Sequence, residues 1–130
     1  MNYGMGGIIS LHSDSHVDMS QPIPEEIDGS EHPKYGFARI ITFMLYLTDV
    51  IAGGHTVFPQ SGISVKPVQG AALYWITQGP NMANDARSLH LGCPVLYGNK
   101  WIANKWIKFL PQFRFYPCSK REHFSVLENL

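Results

Sequence analysis

From residue 8 to residue 107 the chain alternates short runs dense in β-branched and aromatic residues with clusters of Gly, Pro, Asn and Asp. No run repeats its apolar positions at the helical period of 3.6, so the pattern predicts strands. These fall at Ile8–Asp14, Phe37–Thr48, His55–Phe58, Ile63–Lys66, Ala71–Thr77, His90–Tyr97 and Lys100–Ile107. Turns are expected at Ala52-Gly53-Gly54, Pro59–Gly62, Pro67–Gly70 and Gly98-Asn99. The last, a Gly-Asn pair between two strand-like runs, suits a tight hairpin. Within Phe37–Thr48 the odd positions Phe37, Ile41, Phe43, Leu45 and Leu47 are expected to face the core. The even positions Thr42 and Tyr46 then place two hydroxyls on the other side, either lining a polar pocket or packing across strands. Met19–Tyr35, acidic and proline-containing, and Gln78–Arg87 read as surface loops. Short strands at this spacing predict an all-β fold with minor α: a sandwich, jelly roll or barrel.

Composition narrows the picture further. A chain of 130 residues fits one domain. Ten Lys+Arg balance ten Asp+Glu, so nothing draws the whole molecule toward nucleic acid or an anionic membrane. The longest apolar-rich run, Phe37–Leu47, is interrupted by Arg39 and Thr42 and falls short of the ~20 residues a membrane helix needs. Met1-Asn2-Tyr3-Gly4-Met5-Gly6-Gly7 lacks the basic and apolar regions of a secretory signal. Cys93 and Cys118 form no CxxC pair, which argues against structural zinc and leaves open two thiols or one disulfide.

Three features carry candidate chemistry. In a strand, His12 and Asp14 project to one face, giving two members of the 2-His-1-carboxylate set that holds non-heme Fe(II). His16 and Asp18 repeat the pattern four residues later, so spacing alone does not choose between the pairs. His90, flanked by Leu89 and Leu91, is either a third ligand or a satisfied core histidine. Lys100 opens a strand rich in Trp and Ile. It is either a surface lysine or, if buried, a cation that requires an anion.

Taken in order, several motifs resemble the catalytic domain of animal prolyl 4-hydroxylase α subunits. They are Tyr3-Gly4-Met5-Gly6-Gly7, His12-Ser13-Asp14, Leu45-Tyr46-Leu47-Thr48-Asp49-Val50 and Ala52-Gly53-Gly54-His55-Thr56-Val57-Phe58-Pro59. Gly70-Ala71-Ala72-Leu73-Tyr74-Trp75, His90-Leu91-Gly92-Cys93-Pro94-Val95-Leu96, Gly98-Asn99-Lys100-Trp101-Ile102-Ala103-Asn104-Lys105-Trp106 and Pro117-Cys118 continue the likeness. It runs from Asn2 to Cys118.

The resemblance implies a double-stranded β-helix, a jelly-roll variant, over residues 1–118, followed by a tail at 119–130. It implies a barrel entered near the end of its first strand, in a chain that is the catalytic part of a larger subunit. It selects His12, Asp14 and His90 as Fe(II) ligands over His16 and Asp18. Lys100 would bind the distal carboxylate of 2-oxoglutarate, and Tyr46, Thr42 and Tyr3 would face that cosubstrate. L-ascorbate would keep the iron reduced. The implied reaction is 4-hydroxylation of peptidyl proline in Pro-rich, collagen-like chains, with succinate and CO2 as coproducts. Protein disulfide isomerase as β subunit and another α subunit would be partners, with no nucleic acid and no membrane. Cys93 and Cys118 would form a disulfide in the endoplasmic reticulum lumen. Three positions depart from the family pattern: Ser13 and Ile9 stand where aromatics are usual, and Leu89 where Arg is. The alternatives are a non-catalytic or truncated paralogue acting as a peptide-binding or assembly module, and a related dioxygenase with another substrate.

Overall fold

The computed structural model describes residues 1–15, 38–79, 81 and 83–108. Phe37, the loop Met19–Tyr35, His16, Asp18, Cys118 and the tail 119–130 lie outside the described residues. The elements are β1 (Asn2–Tyr3), β2 (Ile9–His12), β3 (Arg39–Tyr46), β4 (Ala52–Gly53), β5 (Thr56–Phe58), β6 (Ile63–Val65), β7 (Ala72–Ile76), β8 (His90–Gly92), β9 (Val95–Tyr97) and β10 (Lys100–Lys108). Two short 3-10 turns, Pro59–Ser61 and Ala86–Ser88, are the helical content among the described residues.

Among the described residues all strand pairings are antiparallel. One sheet runs β1-β10-β3-β7, a second runs β2-β8-β5-β6, and β4 pairs with β9. Met44, Tyr46, Trp75 and Ile102 of the first sheet pack against Phe58 of the second. The core therefore lies between two facing sheets, the arrangement of a jelly roll.

The first sheet corrects the expected facing of its central strand. Along β3 the even residues Ile40, Thr42, Met44 and Tyr46 are buried, while Phe43 and Leu45 are 36% and 37% exposed. Both parities of this strand are rich in apolar residues, so alternation did not fix which side faced in. The position of the second sheet did, and it left Phe43, Leu45 and the cross-strand Tyr74 on the outer face.

The predicted strand His90–Tyr97 is two strands in different sheets. Pro94 has no N–H to continue a ladder. At the break the Cys93 N–H donates to the His55 carbonyl and the Gly54 N–H donates to the Pro94 carbonyl, which carries the chain from β8 into β9. The Gly98-Asn99 turn, with Gly98 at φ 103°, likewise leads from β9 to β10 between sheets and closes no hairpin. Ala52-Gly53, expected as a turn, is the strand that pairs β9.

Gly53 holds that pairing together. Its φ is +77°, and a Cβ there would sit 2.2 Å from the Pro94 carbonyl oxygen and 2.9 Å from the Leu96 nitrogen. Gly53→Ala adds left-handed strain of about 1–2 kcal/mol to a backbone clash. We expect a fall in the melting temperature of the metal-free protein equivalent to more than about 2 kcal/mol; an unchanged melting curve would show that β4 and β9 separate at no cost.

Candidate active site

Between the two sheets lies a cavity of about 220 Å³ that opens to solvent. His12 ends β2 and His90 begins β8, and the two are register partners across that strand pair. Residues directly opposite in a ladder share a face, and the imidazole centroids lie 4.2 Å apart. Asp14 lies in a bend just past the end of β2, outside the strand predicted to include it, and its carboxylate reaches the same point. Asp14 Oδ1 is 3.6 Å from His12 Nε2, and Oδ2 is 3.9 Å from His90 Nε2. One donor atom from each residue lies within 4.8 Å of the other two.

The donor chemistry of this trio fits a divalent iron. His12 Nδ1 is 2.8 Å from the Ser10 carbonyl and His90 Nδ1 is 2.9 Å from the Ser88 carbonyl. A carbonyl only accepts, so each Nδ1 carries the proton and each Nε2 lone pair is left for a ligand role. Two imidazole nitrogens and one carboxylate on one side of a cavity make up a facial triad. Burial pushes the His90 imidazolium pKa down, which keeps that ring in the neutral form a metal requires. Trp75, Phe58 and His12 pack around the His90 ring, with centroids at 4.6, 5.4 and 4.2 Å, and fix its orientation.

A second pole lies in the same cavity. Lys100 opens β10 opposite Tyr3 of β1 and is only 4% exposed. Its Nζ donates to Thr56 Oγ1 at 3.3 Å and lies 5.9 and 5.7 Å from the rings of Tyr3 and Tyr46. Among the described residues no carboxylate pairs with it. Burial lowers its pKa, as expected for an ammonium without a counter-ion. The cavity thus holds a cation in need of an anion, within the same walls as the histidine-carboxylate cluster.

His12, Asp14, His90, Lys100 and Tyr3 all line the cavity. Thr42 and Tyr46 stand behind its wall. The Thr42 hydroxyl donates to Asp14 Oδ2 at 2.6 Å, and the Tyr46 hydroxyl is 2.8 Å from Thr56 Oγ1. Thr56 went unnoticed in the sequence. It lines the cavity and bridges Tyr46 to Lys100, and its signal was the inward alternation of Thr56 and Phe58 in a three-residue strand. Arg39 was also missed. Its guanidinium stacks 3.6 Å from the Trp106 ring centroid, on the cavity wall at the other end of β10 from Lys100.

Comparison with known proteins bears directly on this geometry. The sequence profile described as the 2OG-Fe(II) oxygenase superfamily matches residues 1–108. The chain belongs to that superfamily. It is 41% identical over 119 residues to prolyl 4-hydroxylase subunit alpha-3 of Homo sapiens, and 40% identical over 122 residues to subunit alpha-1 of Gallus gallus. These matches cover 92% and 93% of this chain but 20% and 22% of the relatives, so the chain spans about a fifth of their length. Among solved structures, the 2OG complex of a viral collagen prolyl hydroxylase from Paramecium Bursaria Chlorella virus-1 aligns with a TM-score of 0.69 and 29% identity. That alignment covers 82% of this chain and 55% of the other. In this superfamily member, Cys93 has no disulfide partner among the described residues, and Cys118 lies outside them.

Proposed function

We propose that the chain is the oxygenase domain of a prolyl 4-hydroxylase, hydroxylating C4 of proline in Pro-rich, collagen-like polypeptides with Fe(II), O2 and 2-oxoglutarate. One observation carries the reading: a two-histidine, one-carboxylate cluster shares a small cavity with a buried lysine that has no carboxylate partner among the described residues. The prolyl 4-hydroxylase relatives and the viral neighbour support the choice of substrate class.

His12, Asp14 and His90 would hold Fe(II) through two imidazole nitrogens and a carboxylate. Iron held there would supply the oxidising chemistry, in which O2 and 2-oxoglutarate would be consumed, succinate and CO2 released, and one oxygen atom placed in the substrate C–H bond. The protein's own contribution is binding, orientation and dryness. Lys100 would pair with the distal carboxylate of 2-oxoglutarate, with Thr56 holding the ammonium in place and Tyr3 closing the pocket beside it. The apolar walls around His90 keep water from the reacting groups, where electrostatic interactions are strengthened. Arg39 and Trp106 give the cavity a polar, aromatic flank at the other end of β10 from Lys100.

The finer family traits belong to the same reading. L-Ascorbate maintains the ferrous state, residues 1–118 form the domain, and Cys93 pairs with Cys118 in the endoplasmic reticulum lumen. Protein disulfide isomerase and a second α subunit are the assembly partners. Closing a loop of about 26 residues stabilises by roughly 3–4 kcal/mol in the chain-entropy model. Non-reducing mass spectrometry should find the chain two hydrogens lighter than its dithiol form; two titratable thiols would remove the pairing and the compartment inferred from it.

The test of the function is a turnover assay with a (Pro-Pro-Gly)-type peptide, Fe(II), ascorbate and 2-oxoglutarate. We expect prolines to gain one oxygen each, with an equivalent of succinate per hydroxyl. Succinate without hydroxyproline would mark a related dioxygenase with another substrate. Neither product would mark a non-catalytic module.

A further inference from the structure

We infer that Thr42 is the positioning residue for the metal-facing carboxylate of Asp14, and that its hydroxyl serves the metal site without contacting the cosubstrate. This rests on the reading of His12, Asp14 and His90 as the iron-binding set.

Each donor of that set has its own anchor. His12 is fixed by the Ser10 carbonyl and His90 by the Ser88 carbonyl, both within the local chain. Asp14 is placed differently. It lies past the end of β2, where ladder hydrogen bonds no longer hold the backbone. Its carboxylate is instead tied across the interior to Thr42, 28 residues away in sequence, by a hydrogen bond of 2.6 Å. That length is typical of a hydroxyl bonded to an ionised carboxylate, the stronger class of hydrogen bond.

Thr42 is well suited to the task. It is fully buried at the middle of β3, and β3 is itself an inner strand of its sheet. Its register partners are Trp106 on β10 and Trp75 on β7, so three side chains form one rung beneath the site. A β-branched residue in a strand has restricted χ1, which fixes the direction of the hydroxyl. A threonine hydroxyl has one proton, and Asp14 Oδ2 takes it, leaving none for a cosubstrate carboxylate. Thr42 is also absent from the cavity lining that Lys100 and Thr56 share.

Removing such an outer partner of a metal ligand weakens metal binding by about 10–100-fold in other proteins. The experiment titrates the full, metal-free chain with Co(II) under anaerobic conditions, following the visible ligand-field absorption and the heat of binding, with no cosubstrate present. Thr42→Val keeps the shape and removes the hydroxyl. We expect it to fold, by near-ultraviolet circular dichroism, and to bind Co(II) at least about tenfold more weakly with an altered ligand-field spectrum. Thr42→Ser restores the hydroxyl and should return both affinity and spectrum to near the wild-type values. If Thr42→Val does not fold, Thr42→Ala against Thr42→Ser isolates the same hydroxyl, and the same contrast is expected. Wild-type affinity and spectrum in a folded variant without the hydroxyl would overturn the inference. Failure of the wild type itself to bind Co(II), or binding unaffected by His90→Ala, would overturn the underlying metal reading instead.

Discussion

His90→Ala is expected to abolish turnover and to reduce Fe(II) affinity by more than the 10–100-fold typical of losing an outer-shell partner, because it would remove a proposed donor outright. His90 is the anchor of the cluster: it is buried, its Nδ1 is committed to the Ser88 carbonyl, and Trp75 and Phe58 hold its ring. Truncation therefore leaves a cavity that no neighbouring donor among the described residues is placed to fill. The change has a second readout. An imidazole packed between aromatic rings contributes to the core, so the metal-free variant also melts lower, by an amount in the range of large-to-small core substitutions, about 2–5 kcal/mol. Equilibrium dialysis with Fe(II) under argon and a thermal melt separate the two effects. Retained Fe(II) affinity would remove His90 from the metal site even if activity were lost.

Lys100→Met is expected to act in opposite directions on binding and stability. In the proposed function, Lys100 is the cation that would meet the distal carboxylate of 2-oxoglutarate. Deleting one partner of a buried charge pair costs about 2–5 kcal/mol, or roughly 30-fold to several thousand-fold in affinity. Without cosubstrate the same ammonium is 4% exposed, has Thr56 as its hydrogen-bond partner, and carries a pKa lowered by burial. For a base whose folded pKa lies below its unfolded value, stability is lost as pH falls from the unfolded value to the folded one, and the full penalty persists below that. Methionine fills similar space without charge. The cosubstrate-free variant should melt at or above the wild-type temperature at neutral pH, while its KM for 2-oxoglutarate rises steeply. A variant that melted far lower and bound 2-oxoglutarate normally would reverse the account of this residue.

Most of this architecture was legible in the order of apolar runs and turn residues. Most predicted strands within the described residues are present with their ends shifted by one or two positions, while His90–Tyr97 is split into β8 and β9. Sidedness was less legible. In β3 both parities carry large apolar side chains, so only the location of the second sheet decides that Met44 and Tyr46 face in while Phe43 and Leu45 face out. The break at Cys93-Pro94 was hinted at by proline, but its destination was set by bonds to His55 and Gly54 on another strand. The site shows the same division. The spacing of His12 and Asp14 and the isolation of Lys100 are local signals, and the motif order selected the set containing them. The Thr42 bond to Asp14 and the Thr56 bond to Lys100 span 28 and 44 residues. Nothing in a strand's own composition distinguishes a threonine that holds a carboxylate from one that merely packs.

In the proposed function, one cavity would hold Fe(II) on His12, Asp14 and His90 and 2-oxoglutarate against Lys100. The most direct test is anaerobic addition of Fe(II) and then 2-oxoglutarate to the chain, recording the visible charge-transfer absorption that Fe(II) gives with a chelating α-keto acid. We expect a saturable band in the wild type, none in His90→Ala, and a band requiring at least about 30-fold more 2-oxoglutarate in Lys100→Met. No band in a folded wild-type chain, or an equal band in His90→Ala, would contradict the proposed function.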